Sequence, residues 1–309
     1  MCSEVGAVGP LTSSASSAVL RSAVLAPSIY NTQPWLFRCT TGEVEVHGDF
    51  RRALPVTDGE NRELALSCGA ALFNLRTAIH HRGFLPISTV RPRPGHPSLF
   101  AAVRPVPTAA PHRSVSRLAE AIPRRRTARA AVTACAVPDA VIAELRHAAE
   151  AEQSWLVVFA ERQRAEVAAL IARACRAQLA DPQFRAERSR WSGRGRTSDG
   201  LPASGEFRRP AALTRAGHEV PLLVLIASFD DGPVAWLHAG QALQRVLLTA
   251  TLAGLDAGFW SAPVEVGSAR RELRALSGGA VWPQALLALG RGRAATPSAR
   301  RDLAEVLIE

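Results

Sequence analysis

Three short strings concentrate the side chains in this chain that could bind charged or planar groups. The first is Ala26-Pro27-Ser28-Ile29-Tyr30-Asn31-Thr32-Gln33-Pro34-Trp35. Its two prolines stiffen a polar link and leave backbone amides and short side chains available. Asn31 and Gln33 each offer a carbonyl acceptor and an amide donor, a pairing suited to the edge of a planar heteroaromatic ring. Without a ligand, the same string is a helix stop followed by a turn. The second string is Ile122-Pro123-Arg124-Arg125-Arg126-Thr127-Ala128-Arg129. Guanidinium forks grip phosphate oxygens in pairs, and the Thr127 hydroxyl sits between them. As plain charge it would serve equally as a solvated junction between domains. The third is Gly254-Leu255-Asp256-Ala257 followed by Pro263-Val264-Glu265, a turn after a long helix. The chain end adds Arg291, Arg293, Arg300 and Arg301 beyond an apolar strand.

The elements that carry these strings repeat. At an offset of 120, Leu25, Gln33, Trp35 and Leu36 fall on Leu145, Gln153, Trp155 and Leu156. At an offset of 171, Gly69, Ala71, Leu72 and Gly83 fall on Gly240, Ala242, Leu243 and Gly254. The same two landmarks therefore recur in order: a helix leading into a strand that opens at Trp, then a long apolar helix closed by Gly. The first half reads as helix 17–26, strands 34–39 and 43–47, helix 61–82, and strands 85–91 and 98–106. A proline-rich linker over 105–111 follows. The second half reads as helix 138–150, strand 154–160, helix 162–178, strand 220–228, helix 235–253 and strand 284–290. Few strict βαβ units appear, so the class is α+β. The expected halves are 1–110 and 111–309. The unequal offsets place an insertion near 166–218, and its part over 184–209 has no apolar period and reads as a surface excursion.

Composition excludes several classes. The chain has 309 residues with 47% hydrophobic and 21% charged, ample for a large core. Its 37 basic residues are all Arg, which removes lysine Schiff bases and any P-loop. Five scattered cysteines without a C-x-x-C pair argue against a structural zinc site and for a reducing compartment. Cys39 and Cys68 read as core thiols. No apolar run has membrane-spanning length and the start lacks a signal-peptide pattern, so a cytoplasmic location is expected. The net charge of +10 raises nucleic acid as a partner. Aromatic content of 6% and the lack of a nucleic-acid motif argue against it. Gly290-x-Gly292-x-x-Ala295 mimics a dinucleotide fingerprint, but too little chain follows it.

Together the strings resemble the nitroreductase superfamily. Residues 27–35 resemble its P-S-x-x-N-x-Q-P-W signature, and Arg125, Arg126, Thr127 and Arg129 resemble its R-R-S-x-R motif with Thr for Ser. Residues 254–257 and Pro263, Val264 and Glu265 resemble its G-L loop and P-x-E segment, and the terminal arginines its basic tail. Trp191 and Asp199-Gly200-Leu201-Pro202 further resemble the tandem Acg-type branch. The resemblance implies two fused halves forming a pseudo-dimer, each with a mostly antiparallel sheet and packed helices. It implies FMN as cofactor, with NAD(P)H and a nitroaromatic or quinone acceptor as partners. The binding residues it implies are Pro27, Ser28, Asn31, Gln33, Arg125, Arg126, Thr127, Arg129, Pro263, Val264, Glu265, Arg300 and Arg301. No catalytic side chain and no metal site is implied. A second flavin site would need an Asn where Ala151 stands and arginines over residues 3–20, so a single site is expected. The insertion over 185–209 is expected to fold over the flavin face with Trp191 as its latch. The alternative to an enzyme is an FMN store whose insertion excludes nicotinamide. The protein is expected as a monomeric pseudo-dimer or a weak homo-oligomer.

Overall fold

The computed structural model describes residues 7–91, 93, 95–108, 112–129, 132–193, 198–201, 220–292 and 297–309. Two antiparallel four-stranded sheets share one plan. In the first, β1 (Trp35–Cys39), β2 (Val44–Gly48), β3 (Phe84–Val90) and β4 (Leu99–Pro107) lie in the order β1-β2-β4-β3. In the second, β5 (Trp155–Val158), β6 (Leu222–Ser228), β7 (Asp256–Phe259) and β8 (Trp282–Gly290) lie in the order β5-β6-β8-β7. The backbone carries the repeat as well. Gln33 and Gln153 both take positive φ, 50° and 58°, and so do Gly83 and Gly254, 84° and 73°, each just past a long helix.

Those helices are α2 (Arg62–His81) and, with α3 (Arg113–Ala121), α4 (Asp139–Glu150), α5 (Glu161–Ala180) and α6 (Pro182–Trp191) between, α7 (Pro233–Leu252). Both are apolar around most of their circumference, as helices at the centre of a fold must be. They cross where Gly69 meets Gly240. A Cβ on Gly69 would lie 2.3 Å from the Leu237 carbonyl oxygen, and one on Gly240 would lie 2.1 Å from that of Leu66. Only residues without side chains permit that approach. Near the crossing, Gln244 Nε2 donates to Asn74 Oδ1 at 2.7 Å, joining two buried amides across the seam, while Gln244 Oε1 is buried without a partner.

The sheets are covered differently. Along β6, Leu222, Val224 and Ile226 join the central core, while Leu223, Leu225 and Ala227 join a second core with α5. Both faces are therefore buried, which explains the unbroken apolar run. On β2, Val44 and Val46 face the core, but Glu45 and His47 face a polar cluster with Arg38 and Arg93. Helix α1 (Ser13–Ala23) packs on α2 and ends earlier than the sequence pattern suggests.

Several elements depart from the sequence reading. Residues 184–191, expected as part of a surface excursion, belong to α6, started by Pro182 in its first turn and by Asp181 accepting from the Gln183 N–H at 2.8 Å. Its weak amphipathicity hid it. The proline-rich linker begins later than expected, because Pro105 and Pro107 belong to β4. They are tolerated there since β2 pairs only as far as Val103, leaving no second neighbour needing their N–H. Residues 109–111, residues 194–197 and 202–219 of the insertion, and Arg293 lie outside the described residues. Helices α8 (Ala262–Glu265) and α9 (Gly267–Leu276) lie between β7 and β8, and α10 (Leu303–Val306) ends the chain. The tail crosses to the first sheet, where Ile308 N–H donates to the Phe37 carbonyl at 2.9 Å. Among the described residues, no helix is long and apolar enough to cross a membrane.

The glycine crossing makes a direct prediction. Gly240→Ala should lower unfolding free energy by about 1–3 kcal/mol or more through overpacking. Gly42→Ala, where an added Cβ would have nothing within 4 Å, should change it by less than about 0.5 kcal/mol. Urea unfolding of both variants measures the contrast.

Candidate functional site

A cavity of about 260 Å³ opens along the seam between the two sheets' helices. One wall is the link after α1. Tyr30, Asn31 and Gln33 all have left-handed backbones, with φ of 46°, 56° and 50°. Such conformations are unfavourable for residues with side chains and persist only where the surroundings over-determine them. The surroundings here do so. Ser28 Oγ accepts from the Gln33 N–H at 2.9 Å, and Arg301 Nη1 donates to the Gln33 carbonyl at 3.1 Å. Gln33 Oε1 accepts from the Arg301 N–H at 2.9 Å, and Arg52 Nε donates to the Thr32 carbonyl.

The cavity gathers Pro27, Ser28, Asn31, Arg125, Thr127, Arg129, Val264, Glu265 and Arg300 from the sequence-predicted set. Gln33, Arg126, Pro263 and Arg301 do not line it. Gln33 and Arg301 brace the link from behind, and Arg126 donates to the Pro123 carbonyl at 2.6 Å. Asn31 lines the cavity, but its amide is engaged on three sides. Its Nδ2 donates to Gly200 and Ala299 carbonyls at 3.3 and 3.2 Å, and its Oδ1 accepts from Arg300 Nη1 at 3.1 Å. Its reach is thus toward the insertion and the tail as much as toward a ring. The Glu265 N–H donates to the Ser261 carbonyl at 3.1 Å within α8.

The cavity has two electrostatic ends. Arg125 is only 5% exposed, and its nearest hydrogen-bond acceptors are Thr127 Oγ1 at 3.2 Å and the Leu25 carbonyl at 3.4 Å. Its Nε has no hydrogen-bond partner, and no carboxylate among the described residues lies within ion-pair distance of it or of Arg300. Burial, then the charges of Arg300 and Arg126, push the Arg125 guanidinium down to about 9. Burial, with Arg129 and Arg126, pushes Arg300 down to about 10. Arg129, held to Ser298 Oγ at 2.7 Å, joins them in lining the cavity. Clustered buried cations of this kind call for an anion with several oxygens.

The other end is acidic; of its two acids the sequence reading names Glu265 but not Glu63. Glu63, in the first turn of α2, resembles any acid favouring a helix start. Its side chain meets Arg62 Nη2 at 2.8 Å, and Arg62 also donates to the Val264 carbonyl at 3.3 Å and the Gln284 carbonyl at 2.6 Å. That buried guanidinium ties the first half to α8 and β8. Burial pushes Glu63 up to about 7, opposed by Arg62 and assisted by Asp58. Burial, then the charge of Glu63, raises Glu265 well above the usual carboxylate range. Gln178 Nε2 donates to Glu265 Oε2, while Oε1 is buried without a partner.

Part of the insertion closes over the link. Glu187 on α6 accepts the Val56 and Thr57 N–H groups at 3.0 and 2.8 Å. Gln33 Nε2 donates to the Ser198 carbonyl at 2.8 Å, the Gly200 N–H donates to the Asn31 carbonyl at 3.2 Å, and Arg52 pairs with Asp199. Arg188 and Leu201 line the cavity. Trp191 does not; the Arg52 guanidinium lies 5.2 Å from its ring centre. Pro202 lies outside the described residues.

No protein-family model matches the chain. It is similar to Rv3131 of Mycobacterium tuberculosis strain H37Rv, described as a candidate NAD(P)H nitroreductase, with 32% identity covering 94% of this chain and 90% of that one. It is also similar to the acg protein of that strain, described in the same words, with 30% identity covering 88% of each chain. Among solved structures, an FMN-bound nitroreductase from Bacteroides fragilis aligns with 62% of this chain and 98% of its own, at 17% identity and a TM-score of 0.42.

The acid end predicts a pH dependence. A carboxyl raised from 4.5 to about 7 binds more protons folded than unfolded, so its contribution to stability is fully present below about pH 4.5. That contribution declines as pH rises and is lost above about pH 7. Glu63→Gln should therefore flatten the fall in melting temperature across this window, as thermal unfolding at stepped pH will measure.

Proposed function

The chain belongs to the nitroreductase superfamily, on its Acg-type branch, and on that premise we propose that it is an FMN oxidoreductase. It takes hydride from NAD(P)H and delivers it to a nitroaromatic or quinone acceptor. The observation that carries this reading is the buried Arg125 guanidinium beside Arg129 and Arg300, with no carboxylate among the described residues to neutralise Arg125 or Arg300. The donor set fits a phosphate monoester: guanidinium N–H groups in several directions and the Thr127 hydroxyl. Arg125, Arg129 and Arg300 would hold the phosphate. Ser28 and Asn31 would flank the rest of the cofactor, and Val264 and Glu265 would lie toward its ring. Gln33, Arg126 and Arg301 would act from behind by keeping the link and the tail in place.

Bound FMN supplies two-electron transfer between nicotinamide and acceptor. The polypeptide supplies a rigid link, a preformed anion site and an enclosing insertion. Because the arginines stand charged and desolvated before any ligand arrives, binding an anion there relieves a penalty already present in the folded chain.

A second reading, flavin sequestration, is favoured by one observation. The described part of the insertion is fastened across the link by Glu187, Ser198, Asp199 and Gly200. An insertion held that firmly would keep nicotinamide out and retain the flavin.

Steady-state NADPH oxidation by the FMN-loaded protein, with menadione or nitrofurazone as acceptor, tests the first reading. Multiple turnovers are expected; retention of FMN without turnover would overturn it. Glu187→Gln weakens one fastening, so stopped-flow reduction of its FMN by dithionite should be faster than in the parent protein. An unchanged rate would show that α6 does not limit access.

A further inference from the structure

Two carboxyl groups face the cavity from opposite halves of the chain, and the oxidoreductase reading leaves them without a task. Glu63 arrives on α2 and Glu265 on α8, brought together where Arg62 touches both the Glu63 carboxylate and the Val264 carbonyl. The charge of Glu63 raises the affinity of Glu265 for a proton, which reports their proximity. Neither carboxyl is among the groups acting on Arg125 or Arg300, so the acidic and basic ends are separate. The space near them has apolar walls from Leu66, Leu243, Phe259 and Leu286.

Their partners are unequally distributed. Glu63 has the Arg62 guanidinium at 2.8 Å. Glu265 has the neutral Gln178 amide on one oxygen and nothing on the other, which is buried. The groups facing the pair are Asp58 and Arg62 at the start of α2, Arg270 from α9, Tyr30 from the link, Cys175 from α5 and Arg188 from α6. Arg270 is spent on Asp231, which accepts both of its terminal nitrogens at 2.7 Å. Asp58 is spent on the Glu63 and Leu64 N–H groups at 3.0 and 2.9 Å. Arg62 can balance one carboxylate. Among the described residues Arg62 is the one cation in hydrogen-bond contact with the pair, and two adjacent carboxylates with one such partner retain a proton between them.

We propose that Glu63 and Glu265 hold one proton between them, and that this pair is the hydrogen-bond donor and proton source for the oxygen of a neutral quinone bound at the acidic end of the cavity. The proposal rests on the oxidoreductase reading above. In balanced form, the quinone would receive a hydride, two electrons and one proton, from the reduced cofactor. The carboxyl O–H bond breaks, and its proton goes to the carbonyl oxygen on which negative charge develops. Hydroquinone and a carboxylate result, and the carboxylate is reprotonated from water. The arrangement also selects its acceptor: a neutral carbonyl oxygen gains a donor there, whereas an anionic acceptor meets a carboxylate. Raised carboxyl affinity for protons keeps the donor loaded near neutral pH, the condition for general-acid catalysis.

The test uses the full chain loaded with FMN, and the variants Glu265→Gln and Glu63→Gln, which keep size and a polar head. Infrared spectroscopy of the parent at pH 7 should show a protonated-carboxyl stretch that shifts in D2O and disappears in either variant. Stopped-flow oxidation of the reduced parent protein by menadione should slow as pH rises from 6 to 9. In Glu265→Gln that rate should be at least about tenfold lower at pH 7 and flat with pH, with the menadione KM little changed. Absence of the infrared band from the parent, or a Glu265→Gln variant with the parent's rate and pH profile, would overturn the proposal. Failure to bind FMN would instead strike the oxidoreductase reading, and the infrared band, read on the flavin-free protein, would still decide whether the pair holds a proton.

Discussion

The backbone-to-backbone crossing of α2 and α7 at Gly69 and Gly240 is the constraint on which the rest of the structure depends. Two apolar helices could pack at many distances. These two are fixed at the closest approach because each lacks a Cβ where the other's carbonyl oxygen lies. That approach brings the start of α2 to α8 and β8, where Arg62 finds the carbonyls of Val264 and Gln284. It also sets the link after α1 against the arginines and tail that follow in the chain.

The site contradicts local preference in two places, and both contradictions point to ligand binding. Three left-handed side-chain-bearing residues within four positions are costly, and the tail and insertion hold them there. Guanidinium groups are buried without carboxylate partners among the described residues, although other buried arginines in the fold, such as Arg270 and Arg62, have one. The contrast matters. The chain can place acids beside its arginines and does so elsewhere, so their omission at Arg125 and Arg300 fits a site made for an anion from outside.

Much of this was legible in the sequence, and the reasons differ by residue. The repeat could be read because its markers are backbone requirements: Gln153 mirrors the left-handed Gln33, Gly254 mirrors Gly83, and Gly240 mirrors Gly69. The P-S-x-x-N-x-Q-P-W string and the arginine cluster could be read because their residue types are unusual where they stand. The sequence pattern does not disclose α3 and α6: α3 carries an apolar stripe of Val115, Leu118 and Ala121 but is only nine residues long, and α6 lacks a stripe and sits in an arginine-rich stretch. Strand β7 reads as part of a turn in the sequence, since it has only four residues directly after the helix stop at Gly254. Glu63 is inconspicuous because an acid in a helix's first turn is ordinary; only the fold reveals that it lines the same cavity as Glu265. Trp191 was given the cavity as its surface, but the nearer partner is Arg52, whose charge already sat beside Asp199.

The central claim is that the basic end of the cavity exists to bind a phosphate monoester on a flavin. Titration of the flavin-free protein with FMN and with riboflavin, which differ only in that phosphate, measures it directly. Charge-assisted contacts of about 1.5–3 kcal/mol each predict that FMN binds at least about two decades more tightly, and that Arg125→Ala removes one to two of those decades, roughly. Equal affinity for the two flavins would contradict the account.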